Sequence, residues 1–327
     1  MKARSVAAVA AFFVAAALAA GPAAAQTAWV SGTGNDAASC PRTAPCATWQ
    51  AAHDASGSGG EINCVSAGNF GPLVINRSIT IDCAGAYGAA AAAVSGGASA
   101  VRIDGNNINV TIRNLTIRGP ISISDVTAGI HYVRGGELTV ENVNIYGFSG
   151  SSITVSDGYG IRIQPTSGVH RINVNDSAIR RNGRNSSNPG GGILLAPTGA
   201  AQVRLILNNV ELASNHRALD INTTGTTAGN QVIVRNSHFL ASSDNGITVT
   251  TNANALNIMI EGSTIADNLR GLVVNGAGGA ARIGTSVIAG NGPAFAVSGG
   301  GTIQSYRNNQ IELNGNNGTP LPPVTLQ

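Results

Sequence analysis

Residues 110–117 read VTIRNLTI, and the same eight-place pattern returns six more times down the chain. LTVENVNI (138–145), INVNDSAI (172–179), LILNNVEL (205–212), VIVRNSHF (232–239), IMIEGSTI (258–265) and ARIGTSVI (281–288) superpose on it without a gap. Apolar residues stand four and two places before an anchor and three places after it, Ala281 being the weakest. The anchors are Asn114, Asn142, Asp176, Asn209, Asn236, Gly262 and Thr285. Apolar residues at every second place mark a strand with one buried face.

A second short strand follows each anchor: GIHY (129–132), GIRI (160–163), GILL (192–195), ALDI (218–221), GITV (246–249), GLVV (271–274) and AFAV (294–297). The repeat is therefore strand, turn, strand, loop. No stretch between the strands has the length and 3.6-residue period of a helix, which removes the helical solenoids. Anchor spacings of 28, 34, 33, 27, 26 and 23 residues are too long for a hairpin array and match one circuit of a parallel β-solenoid. Eight or nine coils at about 4.8 Å each predict a rod roughly 40 Å long.

This pattern resembles the right-handed parallel β-helix family, the architecture of pectate lyases, polygalacturonases, alginate epimerases and phage tailspikes, over most of residues 60–312. The start WVSGTGNDAASCPRTAPCATWQAA and the end SYRNNQIELNG look like the ends of an exported bacterial subgroup of β-helix repeat proteins without assigned activity. The resemblance implies an all-β fold. In related β-helices the anchor column is a ladder of stacked side chains, so Asn114, Asn142, Asp176, Asn209 and Asn236 are expected to be scaffolding. The second column six places on, Asn182, Asn215, Asn268 and Asn291, takes the same role. The place before the anchor sets Arg113 beside Glu141 and Arg235 beside Glu261, the opposite charges expected of neighbouring strands.

The layout expected from the chain is a signal segment over 1–25, an N-terminal segment and cap over 26–59, the β-helix over 60–312 and a Pro- and Gly-rich tail over 313–327. Lys2 and Arg4 precede the run VAAVAAFFVAAALAA and the Ala23–Ala25 stretch, as in a cleaved export signal. No later apolar run is long enough to span a bilayer, so the expected location is periplasmic or extracellular. Four Cys in an exported chain read as two disulfides. Of three pairings, Cys40 with Cys46 closes the loop CPRTAPC. Cys64 and Cys83 end EINC and TIDC, which the repeat register sets on successive coils. The helix-like PCATWQAAHDA is expected to cover the open end of the solenoid.

Without Lys2 and Arg4 the 19 basic residues fall to 17 against 16 acidic ones, and nucleic acid is not an expected partner. Lys2 is the only lysine, which excludes a catalytic lysine once the signal is removed. The five His share neither metal-ligand spacing nor a repeat column, so no metal and no cofactor are expected, and their places are read as surface or corner. GTGND (32–36) is a turn, and the Ser residues show no nucleophile elbow.

Candidate contact residues gather in the two longest coils: Tyr146, Phe148, Tyr159, Arg162, Arg180, Arg181 and Arg184. Aromatic faces can stack on sugars and Arg can hold carboxylate or sulfate. Along the outer face of the second strand the residues run His131, Arg162, Leu194, Asp220, Thr248, Val273 and Ala296, with a single carboxylate. Asp125, Asp157, Asp244 and Asp267 hold other repeat places and are expected to face elsewhere. The polygalacturonase Asp pairs and Gly-His-Gly are missing, and SDNGI (243–247) matches their Asp-Asp-Gly only faintly. The resulting expectation is an exported, non-catalytic module that is structural or contacts a polysaccharide or cell-surface glycan, with a homo-oligomer open. The alternative is a polysaccharide-active enzyme, foremost an Arg-based lyase using Arg162, Arg180 or Arg181 with His131 or Tyr159 on an acidic glycan.

Overall fold

The computed structural model describes residues 26–324 except 37–38, 87–88, 92–98, 120–127, 150–157, 184–189 and 253–255. The signal segment, Asp125, Asp157 and Arg184 lie outside the described residues. Eighteen strands form one bent sheet and nine form a second, and the named strand pairings are all parallel. The nine strands run from Leu73–Ile75 to Phe295–Ser298 and count nine coils of a right-handed parallel β-helix.

The gapless superposition of the seven segments is the physical register. Val110, Leu138, Ile172, Leu205, Val232, Ile258 and Ala281 pair coil to coil, all buried. Ile130, Ile161, Ile193, Leu219, Ile247, Leu272 and Phe295 pair likewise in the nine-stranded sheet, all buried but the half-buried Phe295. The core is the file of apolar side chains between these two columns.

The anchors make the corner. All seven hold positive φ, from +48° at Asn236 to +59° at Asn114, a region that Asn, Asp and Gly enter at least cost. Asn114 Nδ2 donates to Asp82 Oδ1 (2.8 Å), Asn142 Nδ2 to Asn114 Oδ1 (2.8 Å), and Asn209 Nδ2 to Asp176 Oδ1 (2.7 Å). Four of the five expected ladder residues, Asn142 to Asn236, are exposed, and Asn114 is half-buried.

The buried ladder is the column six places on. Asn215 Oδ1 accepts from the Asn182 backbone N–H and from its Nδ2, while Asn215 Nδ2 donates to Ile179 O. Asn268, Asn291 and Asn314 repeat the motif. Phe148, six places after Asn142, heads this column and is fully buried, its N–H donating to Asn182 Oδ1 (3.0 Å).

Both disulfides are formed, Cys40–Cys46 and Cys64–Cys83, and the second bridges neighbouring coils in which Ile62 pairs with Ile81. The helix Trp49–Ala55 sits at the N-terminal end, where Trp49 packs edge-on against Phe70. Its entry is fixed by Asp36 of the GTGND turn, whose carboxylate accepts the N–H groups of Ala47 and Thr48. The parallel sheet begins with Thr27–Val30, which pairs with Gly60–Cys64, so its first strand lies in the segment ahead of residue 60. At the other end Ser305 exchanges backbone hydrogen bonds with Pro322 and Val324. Arg113 and Glu141 are register partners, but Arg113 Nε donates to Asp82 instead (2.8 Å).

Candidate functional site

The structure does not gather the six contact residues it describes into one site; Arg184 lies outside the described residues. Phe148 belongs to the core column, and Tyr159 is buried, so neither offers a ring face for stacking on a sugar. Tyr146 and Arg180 are register partners on the bent sheet, where Arg180 pairs with Glu211 (2.7 Å). Arg180 lines a corner groove of about 1040 Å³ together with Asn114, Asn142, Asp176 and Asn209. Arg181 is exposed in a left-handed corner. Arg162 stands on the nine-stranded sheet between His131 and Leu194.

Three of the five His are buried, so they are not surface residues, and of these His216 holds a corner place beside Asn215. His53 is on the buried face of the N-terminal helix between Arg77 and Asp54, His170 lies against the Tyr132 hydroxyl (3.0 Å), and His216 behind Ser243 (3.0 Å). His131 sits in register between Arg102 and Arg162, and burial first, then those two cations, lowers its pKa to about 4. Arg102 and Arg134 both pair with Asp104, whose carboxyl they hold below the usual range against the opposing effect of burial.

A recess of about 360 Å³ lies farther along the same sheet, over the strands Arg217–Asn222, Asn245–Thr250 and Arg270–Asn275. Arg217 is its centre. Its Nη1 donates to Asp220 Oδ2 (2.8 Å) and its Nε to Asp244 Oδ2 (2.9 Å). Tyr159 Oη donates to the same Asp220 oxygen (2.9 Å) from two coils away. In that register Gly191 separates Tyr159 from Arg217, with no side chain to block the reach. Arg270 Nη1 stands 3.8 Å from Asp244 Oδ1.

The same geometry repeats with different chemistry on the next coil. Arg217 opens its strand and bonds Asp220 three places on, and Asn245 opens the following one and donates through Nδ2 to Thr248 Oγ1 (2.9 Å). Asn245 is 5% exposed, and its Oδ1 has no hydrogen-bond partner among the described residues. His216 Nε2, just behind, is also buried without a partner. Burial works against the Arg217 charge, yet the Asp220 charge and the hydrogen bonds to Asp244 and Asp220 outweigh it and push its pKa up. Burial, then the Asp220 charge, pushes the Tyr159 hydroxyl well up, so it stays a neutral donor.

Asp244 therefore does not face elsewhere: Arg217 draws it to Asp220. The sequence expectation missed Arg217, Asn245 and Arg270 because it followed only the outward column. The register could have found them, since the strand-opening place reads Tyr159, Gly191, Arg217, Asn245 and Arg270, a polar run in a sheet otherwise built on Ile, Val and Leu. No group of three or more His, Cys, Asp or Glu placed to hold a metal ion occurs among the described residues. No helix there is long and apolar enough to cross a membrane.

The structure is similar to the crystal structure of pectate lyase Pel9A, with a TM-score of 0.54 and 15% identical residues over 92% of this chain and 78% of that one. No protein-family model matches the chain, and no curated protein does. The class is thus defined by the fold, a pectate-lyase-like right-handed parallel β-helix.

Proposed function

We propose that this is an exported, non-catalytic β-helix protein that holds a saccharide on its nine-stranded sheet, at the Arg217 recess. The observation that carries the reading is the fixed network of Tyr159, Arg217, Asp220 and Asp244. Preorganised donors and acceptors in a concave site lower the ordering cost of binding a polar ligand. Both carboxylates are held by one guanidinium and are not opposed across a groove, which favours recognition over acid–base chemistry. Two disulfides fit an oxidising compartment, in keeping with export.

The second reading, a polysaccharide-active enzyme, is favoured by the likeness to a pectate lyase structure and by the Arg and Asp side chains on this face. One experiment separates the two. The protein is run through gels containing individual polysaccharides, and the same glycans are incubated with it while unsaturated products and new reducing ends are followed. Retardation without product supports a binding module, and product formation lost in Arg217→Ala or Arg162→Ala makes it an enzyme.

A further inference from the structure

We infer that the Arg217 recess selects an uncharged saccharide and discriminates against uronate or sulfated sugars; this rests on the saccharide-binding reading above. The charges in the recess cancel, with Arg217 and Arg270 set against Asp220 and Asp244. Arg217 spends Nη1 on one carboxylate and Nε on the other. Arg270 leans on Asp244 from its far side. Each guanidinium is already offset by a carboxylate, so an acidic sugar would find no uncompensated cation to replace the water it gives up on entering.

What the recess lacks is a hydrogen-bond donor, not a cation. Asn245 Oδ1 is buried and unpartnered, and an unsatisfied buried acceptor costs more than the bond it would make. A sugar hydroxyl can donate to it, and a carboxylate or sulfate group seated at the same place cannot, having acceptors only. Leu194 and Val273 flank Asp220 and Thr248 in the outward column and are themselves buried, so the polar side chains supply the contacts a ligand would meet. Thr248 Oγ1, already accepting from Asn245 Nδ2, keeps its own hydroxyl proton to donate to a ring or hydroxyl oxygen.

The test is calorimetric titration of the full chain with two sets of oligosaccharides of matched length, neutral ones of glucose, galactose, mannose or arabinose, and acidic ones of galacturonate or sulfated galactose. At least one neutral sugar is expected to bind at least tenfold more tightly than any acidic one, with little change between low and moderate salt. Asn245→Ala, checked for folding by circular dichroism, is expected to weaken that binding about tenfold. Acidic sugars binding as tightly as neutral ones, with affinity that falls as salt rises, would overturn the inference while leaving the saccharide reading in place. Absence of binding by every sugar would overturn both. The neutral-to-acidic comparison on the unaltered protein decides the matter even where Asn245→Ala does not fold.

Discussion

The asparagine column six places after the corner and the Arg217 recess are both built from buried polar side chains, and they differ in how fully the protein satisfies them. In the column each carboxamide is used on both sides, and the atom left over there among the described residues is the hydroxyl of Ser242, which stands where the column has no Asn. Asn268 Oδ1 accepts the Ser242 N–H, and its Nδ2 donates to Phe239 O and Asn291 Oδ1. In the recess Asn245 Oδ1 is left over among the described residues, as is His216 Nε2 behind it. Completed networks rigidify a fold, and a leftover buried acceptor beside an open recess is free to take a ligand's donor. The difference separates scaffold from site where residue type alone cannot.

Breaking the recess at its centre is the severest test. Arg217→Ala removes the cation shared by Asp220 and Asp244, and an uncompensated buried charge costs about 3 kcal/mol. Urea denaturation measures this, and saccharide retention is expected to vanish with it. A loss under about 1 kcal/mol would mean that solvent already screens the network. Asn268→Ala strikes the column, leaving the Ser242 N–H and the Phe239 carbonyl unpaired, for a cost of about 2–3 kcal/mol. Retention is expected to survive this change in the folded fraction, because Asn268 lies in the ladder behind the sheet. Equal damage to retention in both variants would erase the distinction between scaffold and site.

Acid probes the face between the two regions. His131, His216 and His53 all have pKa values lowered by burial, His131 to about 4. A folded-state value below the unfolded one means that the unfolded chain binds more protons between about 4 and 6.5, so stability is complete above that window and is lost as pH falls through it. The expected loss from His131 is on the order of 1–2 kcal/mol after solvent screening. His131→Gln is expected to flatten the thermal-midpoint profile over that range. An unchanged slope would place the titration on His53 and His216.

Much of this was readable from period and register alone. The seven segments that superpose in sequence are the hydrogen-bonded partners, because a parallel coil forces equivalent residues to stack. Counting six places from Asn142 also puts Phe148 at the head of the asparagine column, although its Ser- and Gly-rich neighbourhood reads as loop. The recess was not readable in the same way. Period-two counting puts Arg217 on the core side with Leu219 and Ile221, and as the first residue of its strand it escapes the alternation that the rule assumes. The meeting of Asp244 with Asp220 depends on how far one guanidinium extends, a distance that spacing in the sequence does not carry.

The smallest effect concerns the exposed corner, where the anchor column meets a residue unsuited to it. Thr285 holds φ +51°, and a β-branched side chain in that region is strained. Its N–H donates to Asn308 Oδ1, and Asn308 Nδ2 donates back to its hydroxyl, so the neighbouring coil holds it in place. Asn at 285 would enter the left-handed region more cheaply while keeping an oxygen for Asn308 to reach. Thr285→Asn is expected to raise stability by about 0.5–1 kcal/mol, read as a higher urea midpoint with an unchanged slope. A loss of stability would show that the reciprocal Thr285–Asn308 pair outweighs backbone strain at the corner, and the exposed column would then owe its geometry to contacts between coils as much as to the conformational preference of Asn.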